Sequence, residues 1–344
     1  MSKRKITDPV TASKKSKGTS TCKYYGSEGA FTHVAAEKYF NTTLQKVELT
    51  SSSSLSNLFD SVASGESDYC CVPYENSISG TISSTIVHLL MHPNLHIVGE
   101  ILDADELCLC ACSGATLSTI RTVMSHSHLL LQSGNFLKSL ESKNGGVTIA
   151  QQPTFDSATG CSLVGNDTTK CAIASKRAAR AHGLTILETN FADVEAETRY
   201  VILSTTPSTS SSRLGRRCSV SFVLPNRPGA MFKSLSCFAF RDLSIIKVST
   251  VPLGGKKDVL LSSSSSNGGS SSSSSFNTRS IPGASRWDYV FVVDFVASAN
   301  ASVNQAALNA LGEFAKSVRI LGEYQPAEMK AESPSKSMMH LAAF

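Results

Sequence analysis

The sequence predicts an α/β protein with two folded units, and three observations support this prediction. Short runs rich in β-branched and aromatic residues alternate with helix-like segments over residues 22–205, which is typical of an α/β sandwich with mainly parallel sheets. A Ser/Thr-rich stretch, residues 206–216, follows and is predicted to be a flexible linker. Beyond it the predicted order over residues 217–326 is βαββαβ, the split-βαβ arrangement of ferredoxin-like folds.

The elements of the first unit follow from hydrophobic spacing and from glycine and proline boundaries. The run "KYYG" predicts the first strand, and "YCCVPY" predicts a buried strand that ends at a polar turn. The segment "TISSTIVHLLMHP" predicts a helix that Pro93 stops. Further helices are predicted over "GAFTHVAAEKYF", "LSNLFDSVASG" and residues 132–140, and further strands over "LHIVGEILDA", "LCLCACSG" and "ETRYVIL".

The second unit contains four predicted strands and two predicted helices. The strands are "RCSVSFVLP", "LSIIKVSTVP", "WDYVFVVDFVA" and "RILGEYQ", and the helices lie in "NRPGAMFKSLSCFAFRD" and "NQAALNALGEFAKSV". A Ser-rich stretch within this unit, residues 255–282, has too few apolar residues to join a core and is predicted to be a disordered insertion. Residues 1–21 and 327–344 are predicted to be tails.

Charge is distributed unevenly along the 344 residues. The formal net charge is +5, but residues 1–23 hold seven of the 32 Lys and Arg residues and one acidic residue, so the remainder carries −1. A nearly neutral body lacks the basic face that nucleic-acid binding requires, so no nucleic-acid partner is expected. No apolar run reaches the roughly 18–20 residues that span a bilayer, so no membrane association is expected.

The N-terminal segment and the cysteines bear on the cellular compartment. The segment lacks the apolar centre of a secretory signal, which predicts a cytoplasmic protein, although the Ser/Thr-rich and acid-poor residues 1–20 keep a plastid transit peptide as the alternative. Ten cysteines without such a signal predict reduced thiols. The alternating Cys108, Cys110 and Cys112 are expected to be small buried residues on one strand rather than zinc ligands, and no metal site is predicted.

Uncharged polar residues at strand ends are the best candidates for a binding site. Taken singly, each is explained by a turn or a helix cap. Ligands in α/β folds, however, bind at the carboxyl ends of strands, so their shared placement predicts a pocket for a small polar ligand. The candidates are Glu75, Asn76 and Ser77 in "YENS", Ser125 and Gln132 around "SHSHLLLQ", and Thr198 in "ETRYVIL".

The ordered motifs resemble those of the prephenate dehydratase family, which includes the arogenate dehydratases. The motifs are "YYGSEGAF", "VPYENSISGTI", "SHSHLLLQ", "AIASKRAARAHGL" and "ETRYVIL", and "NRPGAMFKSLSCFAFRDLSI" resembles the phenylalanine-sensing ACT domain that follows in such enzymes. The resemblance covers about residues 22–326. It implies a two-lobed catalytic domain over residues 22–205, like type 2 periplasmic binding proteins, with lobe crossovers near residues 100 and 190, and an ACT domain over residues 217–326.

The resemblance also implies an activity and roles for the polar residues. Prephenate loses carbon dioxide and water to become phenylpyruvate in L-phenylalanine biosynthesis, and aromatisation drives the reaction, so no cofactor is expected. By similarity Thr198 assists departure of the hydroxyl, and Ser157 caps a helix whose N-terminus faces a substrate carboxylate. Arg199 points away from Thr198 along a strand and is not assigned to the site. The implied substrate-binding residues are Glu75, Asn76, Ser77, Ser125, Gln132 and Ser157.

Two departures from the family pattern affect expected specificity and regulation. The substrate loop reads Ser-His-Ser-His at 125–128 where the family usually has Ser-His-Pro-Gln, and Ala196 replaces an Asn often found two residues before the catalytic Thr. The family's Glu-Ser-Arg-Pro phenylalanine motif corresponds to Ser-Thr-Val-Pro at 249–252. Phenylalanine inhibition is therefore expected to be altered or weak, while the ACT domain supports a homodimer or tetramer. The residues expected to remain at the effector site are Asn226, Pro228, Gly229, Ala230 and Met231.

Two alternatives to prephenate dehydratase stay open. An arogenate dehydratase runs the same elimination on a substrate with an amino group in place of the keto oxygen, and would form L-phenylalanine directly. A non-catalytic amino-acid sensor would keep the cleft and the ACT domain without turnover.

Overall fold

The structure, a computed structural model, describes residues 19–104, 106–208, 215–252 and 289–327. Within these ranges the chain forms three β-sheets with flanking helices. The strands are β1 (Ser20–Tyr25), β2 (Val47–Ser52), β3 (Tyr69–Asn76), β4 (Gly80–Thr81), β5 (His96–Ala104), β6 (Cys108–Ala111), β7 (Thr122–Ser125), β8 (Ala150–Pro153), β9 (Lys170–Ala174), β10 (Thr185–Thr189), β11 (Glu197–Ser204), β12 (Arg217–Val223), β13 (Ile245–Pro252), β14 (Tyr289–Val296) and β15 (Ser317–Tyr324). The helices are α1 (Phe31–Thr42), α2 (Leu55–Ala63), α3 (Ser83–Met91), α4 (Ser127–Gln132), α5 (Gly134–Lys143), α6 (Ser157–Val164), α7 (Lys176–Ala181), α8 (Ala230–Ala239) and α9 (Ala301–Gly312).

The first lobe is built on the sheet β2-β1-β3-β11-β5, with β4 added to β3. Strands β2, β1 and β3 are parallel, whereas β11 is antiparallel to both of its neighbours. Helix α2 shows why the local sequence is helical: the Ser54 hydroxyl accepts a hydrogen bond from the N–H of Asn57, and Leu58, Phe59 and Val62 recur on the face that packs into the core.

The second lobe is built on the sheet β10-β6-β9-β7-β8. Strand β7 is parallel to β8 and β9, and β6 is antiparallel to β9 and β10. Helix α6 crosses this sheet at Gly160, where an added Cβ would lie 2.9 Å from the Met124 carbonyl oxygen, so glycine permits the close approach of helix and sheet. The cysteines of β6, Cys108 and Cys110, are fully buried in this core.

The two sheets are mixed, so the prediction of mainly parallel sheets is wrong. The chain enters the second lobe between β5 and β6 and returns between β10 and β11. The returning strand β11 is inserted between β3 and β5 rather than at an edge, and it runs opposite to both of them. Strand–helix alternation indicates crossover connections but does not reveal a strand that arrives from another lobe, and this is why the sequence pattern failed here.

The C-terminal domain has the predicted βαββαβ order, with the antiparallel sheet β13-β14-β12-β15. Helices α8 and α9 pack on one face through a separate apolar core that includes Phe238, Phe295 and Leu311. On the other face, Val292, Leu321 and other residues of this sheet join the core of the first lobe. The third sheet and the first lobe therefore share one continuous apolar core.

The ends of the predicted domains differ in part from the structure. Strand β1 begins at Ser20, where Ser20 and Thr21 pair with Val47 and Glu48 of β2, so these two residues belong to the first sheet rather than to a tail. At the other end, the N–H of Ala327 donates to Glu100 at 3.0 Å. The remaining predicted tail residues, most of the linker and the whole Ser-rich insertion lie outside the described residues.

Candidate functional site

A cavity of about 420 Å³ lies between the two lobes and brings three of the predicted site residues together, Asn76, Ser157 and Thr198. The first lobe supplies most of the wall, and the second lobe supplies one side through the starts of α4 and α6. The other lining residues are Tyr25, Gly26, Ala30, Phe31, Thr32, Leu55, Pro73, Ser79, Ile82, Ser84, Thr85, His126, His128, Leu129, Phe155, Asp156 and Tyr200.

Thr198 and Asn76 form the polar centre of the first-lobe wall. They are directly opposite each other on the antiparallel strands β11 and β3, and the Asn76 Nδ2 donates to the Thr198 Oγ1 at 3.0 Å. The Asn76 Oδ1 in turn accepts the backbone N–H groups of Ile78 and Ser79 at 3.0 and 3.1 Å. The amide orientation is therefore fixed by the turn after β3, and it fixes the orientation of the threonine hydroxyl.

The N-terminal ends of five helices line this cavity, and two of them, α2 and α4, are capped by the side chains of Ser54 and His126. Residues from the first turn or the cap of α1, α3 and α6 line it, among them Phe31, Thr85 and Ser157. At α1 and α3 the capping positions are Ala30 and Ile82, and neither provides a side-chain cap. Uncapped N–H groups and the positive end of the helix dipole favour an anion at this position.

The cavity contains one charged residue among its lining residues, Asp156. Its Oδ2 accepts the N–H of Ser27 from the first lobe, and its Oδ1 accepts the N–H of Thr159 in α6, both at 2.6 Å. Asp156 therefore caps α6 and joins the lobes. Ser157 is the first residue of the helix, not its cap, so the predicted capping role of Ser157 is wrong, although its place in the cavity agrees with the prediction.

Two histidines stand at the second-lobe side of the cavity. The Nδ1 of His126 accepts the N–H of His128 at 3.4 Å and caps α4. Desolvation lowers the pKa of both imidazoles from the usual value near 6.5, and Asp156 partly opposes this effect at His126. Burial therefore favours the neutral form of both rings.

Three predicted substrate-binding residues are close to the cavity without lining it. The Ser77 hydroxyl accepts the N–H of Glu197 at 2.9 Å, on the outer side of the turn after β3. The fully buried Ser125 donates its hydroxyl to the Ile173 carbonyl oxygen at 2.6 Å. Gln132 places its Nε2 3.1 Å from the His128 Nε2, while its Oε1 has no hydrogen-bond partner. Gln132 therefore contacts the lining residue His128 rather than the cavity itself.

Glu75 faces away from the cavity, which contradicts its predicted substrate contact. Side chains alternate along a strand, so the neighbours of Asn76 and Thr198 point to the opposite face of the sheet. There the Glu75 carboxylate lies 3.2 Å from the Arg199 Nη1 and 3.0 Å from the Lys247 Nζ. Arg199 also faces this side, as the sequence argument expected.

Several lining residues were not found by sequence reasoning. Asp156 carries a recognisable signal, because Asp is a preferred N-cap residue and Thr159 follows three positions later. The aromatic wall of Tyr25, Phe31 and Phe155 carries none, since aromatic residues at helical or strand spacing usually belong to a core. Within the described ranges, no group of three or more His, Cys, Asp and Glu side chains is arranged to hold a metal ion, and no helix is both long and apolar enough to cross a membrane.

The predicted effector residues surround the start of α8. Asn226, Ala230 and Met231 line a cavity of about 400 Å³ together with Tyr289 and Phe291 of β14. Gly229 is the N-cap residue, with a left-handed φ of 75° that favours glycine. Pro228 lines an adjacent cavity of about 380 Å³.

Comparisons with known proteins agree with this architecture. The arogenate dehydratase/prephenate dehydratase 2, chloroplastic, of Arabidopsis thaliana is 32% identical over 306 residues, which cover 88% of this chain and 71% of that protein. The crystal structure of prephenate dehydratase in complex with L-Phe from Arthrobacter aurescens superimposes with a TM-score of 0.71 at 23% identity, covering 91% of this chain and 93% of that one. A structure described as a novel type of quorum quenching acylase gives 0.70 at 22% identity, covering 89% and 98%.

At these identities the two solved structures show the fold alone, and the presence of an acylase among them illustrates that a fold does not define an activity. Membership rests on sequence. The family model for prephenate dehydratase matches residues 22–208, which include the first lobe, the second lobe and the returning strand β11. The chain therefore belongs to the prephenate dehydratase family.

Proposed function

We propose that the protein is a carbon–oxygen lyase that converts prephenate to phenylpyruvate, carbon dioxide and water in L-phenylalanine biosynthesis. The observation that carries this proposal is the pairing of an oriented hydroxyl, Thr198, with converging helix N-termini in one cavity. In the reaction the ring carboxylate leaves as carbon dioxide, its electron pair enters the ring, and the hydroxyl on the opposite carbon departs with one proton as water.

Helix N-termini bind the substrate carboxylates in this proposal. No Lys or Arg is among the residues that line the cavity, so carboxylates meet the N–H groups of α1 and α3 and the hydroxyls of Ser84 and Ser157. A cavity wall in which no described residue is a Lys or Arg suits the chemistry, because a fixed cation against the departing carboxylate would stabilise the substrate more than the carbon dioxide that leaves.

Thr198 assists departure of the substrate hydroxyl. In the proposed complex the Thr198 hydroxyl, whose Oγ1 accepts from Asn76, donates a hydrogen bond to the departing substrate hydroxyl. A threonine hydroxyl is too weak an acid to protonate the leaving group alone, so it acts as a positioned donor and the proton is supplied through a network that ends at solvent. Thr198 itself is 6% exposed, so little of its surface faces solvent.

A turnover assay with purified protein tests the proposal. Prephenate and arogenate are offered separately to wild type, Thr198→Ala and Thr198→Ser. We expect phenylpyruvate from prephenate, a loss of about 10²–10³ in kcat for Thr198→Ala, as for removal of one transition-state donor, and a smaller loss for Thr198→Ser, which keeps the hydroxyl. Folded wild-type protein that forms no product from either substrate would contradict the proposal and favour the amino-acid sensor.

Arogenate dehydratase is the second candidate, and Asp156 is the observation that favours it. An ammonium group needs a carboxylate partner, and Asp156 is the carboxylate in the cavity wall. Both of its oxygens already accept backbone N–H groups, which reduces but does not exhaust their accepting capacity. Phenylalanine formed mainly from arogenate, with a rise in arogenate KM but not in prephenate KM for Asp156→Asn, would assign the protein to this activity.

We infer that residues 217–326 form an ACT domain with a phenylalanine site at the start of α8. The support is the βαββαβ order, the cavity lined by Asn226, Ala230 and Met231, and the Arthrobacter aurescens relative, whose crystal structure is a complex with L-Phe. The Ser-Thr-Val-Pro sequence at 249–252 lacks the charged residues of the family motif. We expect weak phenylalanine inhibition, and a titration that gave inhibition as tight as substrate binding would contradict this expectation.

Assembly and compartment are further proposals. A homodimer or tetramer through the ACT domain is tested by light scattering during size-exclusion chromatography.

The plastid alternative is supported by the Arabidopsis relative, which is named as chloroplastic, and it replaces the cytoplasmic prediction if residues 1–20 direct a fluorescent protein to plastids.

A further inference from the structure

A buried ion cluster lies on the face of the first sheet that is opposite to the cavity. Its centre is Arg199, whose Nε donates to the Glu100 Oε2 at 2.7 Å, whose Nη1 donates to the Asp294 Oδ2 at 2.8 Å, and whose Nη2 donates to the Tyr324 hydroxyl at 2.7 Å. The same Glu100 Oε2 also accepts a hydrogen bond from the Arg217 Nη1 at 2.9 Å. The side chains of Glu100 and Asp294 are 1% and 0% exposed, so these contacts are shielded from solvent.

A second part of the cluster surrounds Tyr74. The guanidinium of Arg199 lies 4.8 Å from the centre of the Tyr74 ring, and the Lys247 Nζ lies 4.5 Å from it. The pairing of β11 with β3 shifts at this point, because Arg199 is opposite Glu75 whereas Tyr200 is opposite Pro73. Tyr74 is thus the extra residue of a β-bulge, a feature that redirects side chains next to a site.

The cluster links two domains through every strand of the third sheet. That sheet supplies Arg217 from β12, Lys247 from β13, Asp294 from β14 and Tyr324 from β15. The formal charges of the cluster cancel, because it contains three basic and three acidic side chains. These are Arg199, Arg217 and Lys247, and Glu75, Glu100 and Asp294. Although burial alone would lower the pKa of Arg199, the surrounding Tyr324, Asp294 and Glu100 raise it, so the guanidinium stays charged.

We propose that Arg199 is a positioning residue for Thr198, and that the C-terminal domain holds it in place through Asp294 and Tyr324. Thr198 and Arg199 are consecutive on β11, so the direction of one side chain fixes that of the other. Asn76 and Glu75 repeat this arrangement on β3. Anchoring one face of both strands therefore sets the distance between Thr198 and Asn76 on the other face. The inference rests on the proposed function for what Thr198 does in turnover.

The test compares two contacts that both join the C-terminal domain to the first lobe. Asp294→Ala removes a partner of Arg199 without touching the cavity. Arg319→Ala is the matched control: Arg319 donates to the carbonyl oxygens of Leu89 and Leu90 at the end of α3, and of His92 and Leu95 just beyond it. Its hydrogen bonds do not reach β11. Each variant is measured for kcat, KM, the thermal midpoint and hydrogen exchange of a peptide spanning residues 197–204.

We expect both substitutions to lower the thermal midpoint, and Asp294→Ala alone to lower kcat about tenfold with KM within twofold of wild type. Exchange of the 197–204 peptide should accelerate in Asp294→Ala and not in Arg319→Ala. If Asp294→Ala does not fold, Tyr324→Phe removes the hydroxyl that accepts from Arg199 and keeps the ring, with an expected kcat loss of about threefold. Equal kcat in the Asp294 and Arg319 variants would overturn the inference.

The exchange measurement separates this inference from the proposed function. If wild type turns over neither substrate, but the 197–204 peptide loosens only when Asp294 or Tyr324 is changed, the proposed function fails and the positioning role stands. If wild type is active and neither kcat nor exchange responds to Asp294→Ala or Tyr324→Phe, the positioning role fails and the proposed function stands.

Discussion

The two faces of strands β3 and β11 differ sharply in their chemistry, although the residues on them are immediate neighbours in sequence. The cavity face presents Asn76 and Thr198, which are uncharged and joined by one hydrogen bond. The opposite face presents Glu75 and Arg199, which are charged and take part in a cluster with the C-terminal domain. Strand alternation makes this separation possible, since a single residue step changes the face.

The difference teaches how the Thr198 hydroxyl, which we propose acts in catalysis, can be held in place without a charge beside it. A cation next to Thr198 would attract the substrate carboxylate that has to leave as carbon dioxide. Arg199 is a cation on the opposite face of the sheet. There it anchors β11, and the sheet itself separates the charge from the cavity. Cavity-face substitutions should therefore change turnover directly. Interface-face substitutions should lower stability, and they should change turnover only through the position of Thr198.

The largest expected effect is on stability, for Arg199→Met. The substitution leaves Glu100 and Asp294 buried without their shared partner, and breaking a buried ion pair in this way costs about 3–5 kcal/mol of unfolding free energy. Urea denaturation measures the loss. Thr198→Val is the matched cavity-face variant, with similar volume and an expected cost near 1 kcal/mol. Equal losses in the two variants would remove the distinction between the faces.

Asn76→Ala should give the next largest effect, and on turnover. It removes the donor that orients Thr198, and we expect a fall in kcat of about 10–100-fold, together with about 1–2 kcal/mol of stability from the lost bonds to Ile78 and Ser79. Ser77→Ala changes the next residue of the same turn, which does not line the cavity. A kcat loss in Ser77→Ala as large as that in Asn76→Ala would restore the sequence prediction that Ser77 binds substrate.

Gly29→Ala tests a close contact between the two lobes, next to Ala30 of the cavity wall. An added Cβ would lie 2.5 Å from the Ala178 Cα at the start of α7, and the φ of Gly29 is +86°. We expect a loss of about 1–3 kcal/mol in stability and a rise in substrate KM, because the lobes can no longer approach as closely. Gly65→Ala controls for backbone strain, since Gly65 has a φ of +78° with nothing within 4 Å of the added Cβ. An unchanged KM in Gly29→Ala would argue against this contact in substrate binding.

The smallest expected effect is a pH dependence at the same contact. Burial lowers the pKa of His33, partly opposed by Glu37, and its Nδ1 accepts the N–H of Gly29 at 3.0 Å. The imidazole of His33 takes up a proton near pH 6.5 in the unfolded chain and only at lower pH in the folded chain. The contribution of His33 to the unfolding free energy is therefore complete above pH 7. This contribution falls as the pH drops below about 6.5, by about 1 kcal/mol for loss of one hydrogen bond. Denaturation at pH 7.5 and 5.5 measures it, and His33→Gln should reduce the difference.

Much of the fold was predictable because it is written in local patterns. The βαββαβ order follows from alternating and helical spacing in contiguous segments, and α3 ends before Pro93 as proline chemistry requires. The mixed pairing of the first sheet was not predictable in this way. The position of β11 between β3 and β5 depends on where the chain returns from the second lobe, and no local pattern encodes that return.

Some residues of the candidate site were also predictable from local sequence patterns, and others were not. Asn76, Thr198 and Ser157 were found because each lies at the start or end of an element whose boundary is visible in the sequence. Glu75 was misplaced because the sequence did not show which face of β3 its side chain points to. The Tyr74 bulge depends on the pairing of β3 with β11, and the contacts of Arg199 depend on the C-terminal domain, which is about 95 residues away along the chain at Asp294.

The sequence by itself determined the family, the βαββαβ order of the C-terminal domain and the residue types at the cavity, because motifs, periodicity and caps act over a few residues. Only the tertiary structure decided which faces those residues occupy, that α1, α3 and α6 converge on one cavity, and that Arg199 is held by a different domain. These features arise from the packing of segments far apart in the chain, where register and burial are set by the whole assembly of strands rather than by any one of them.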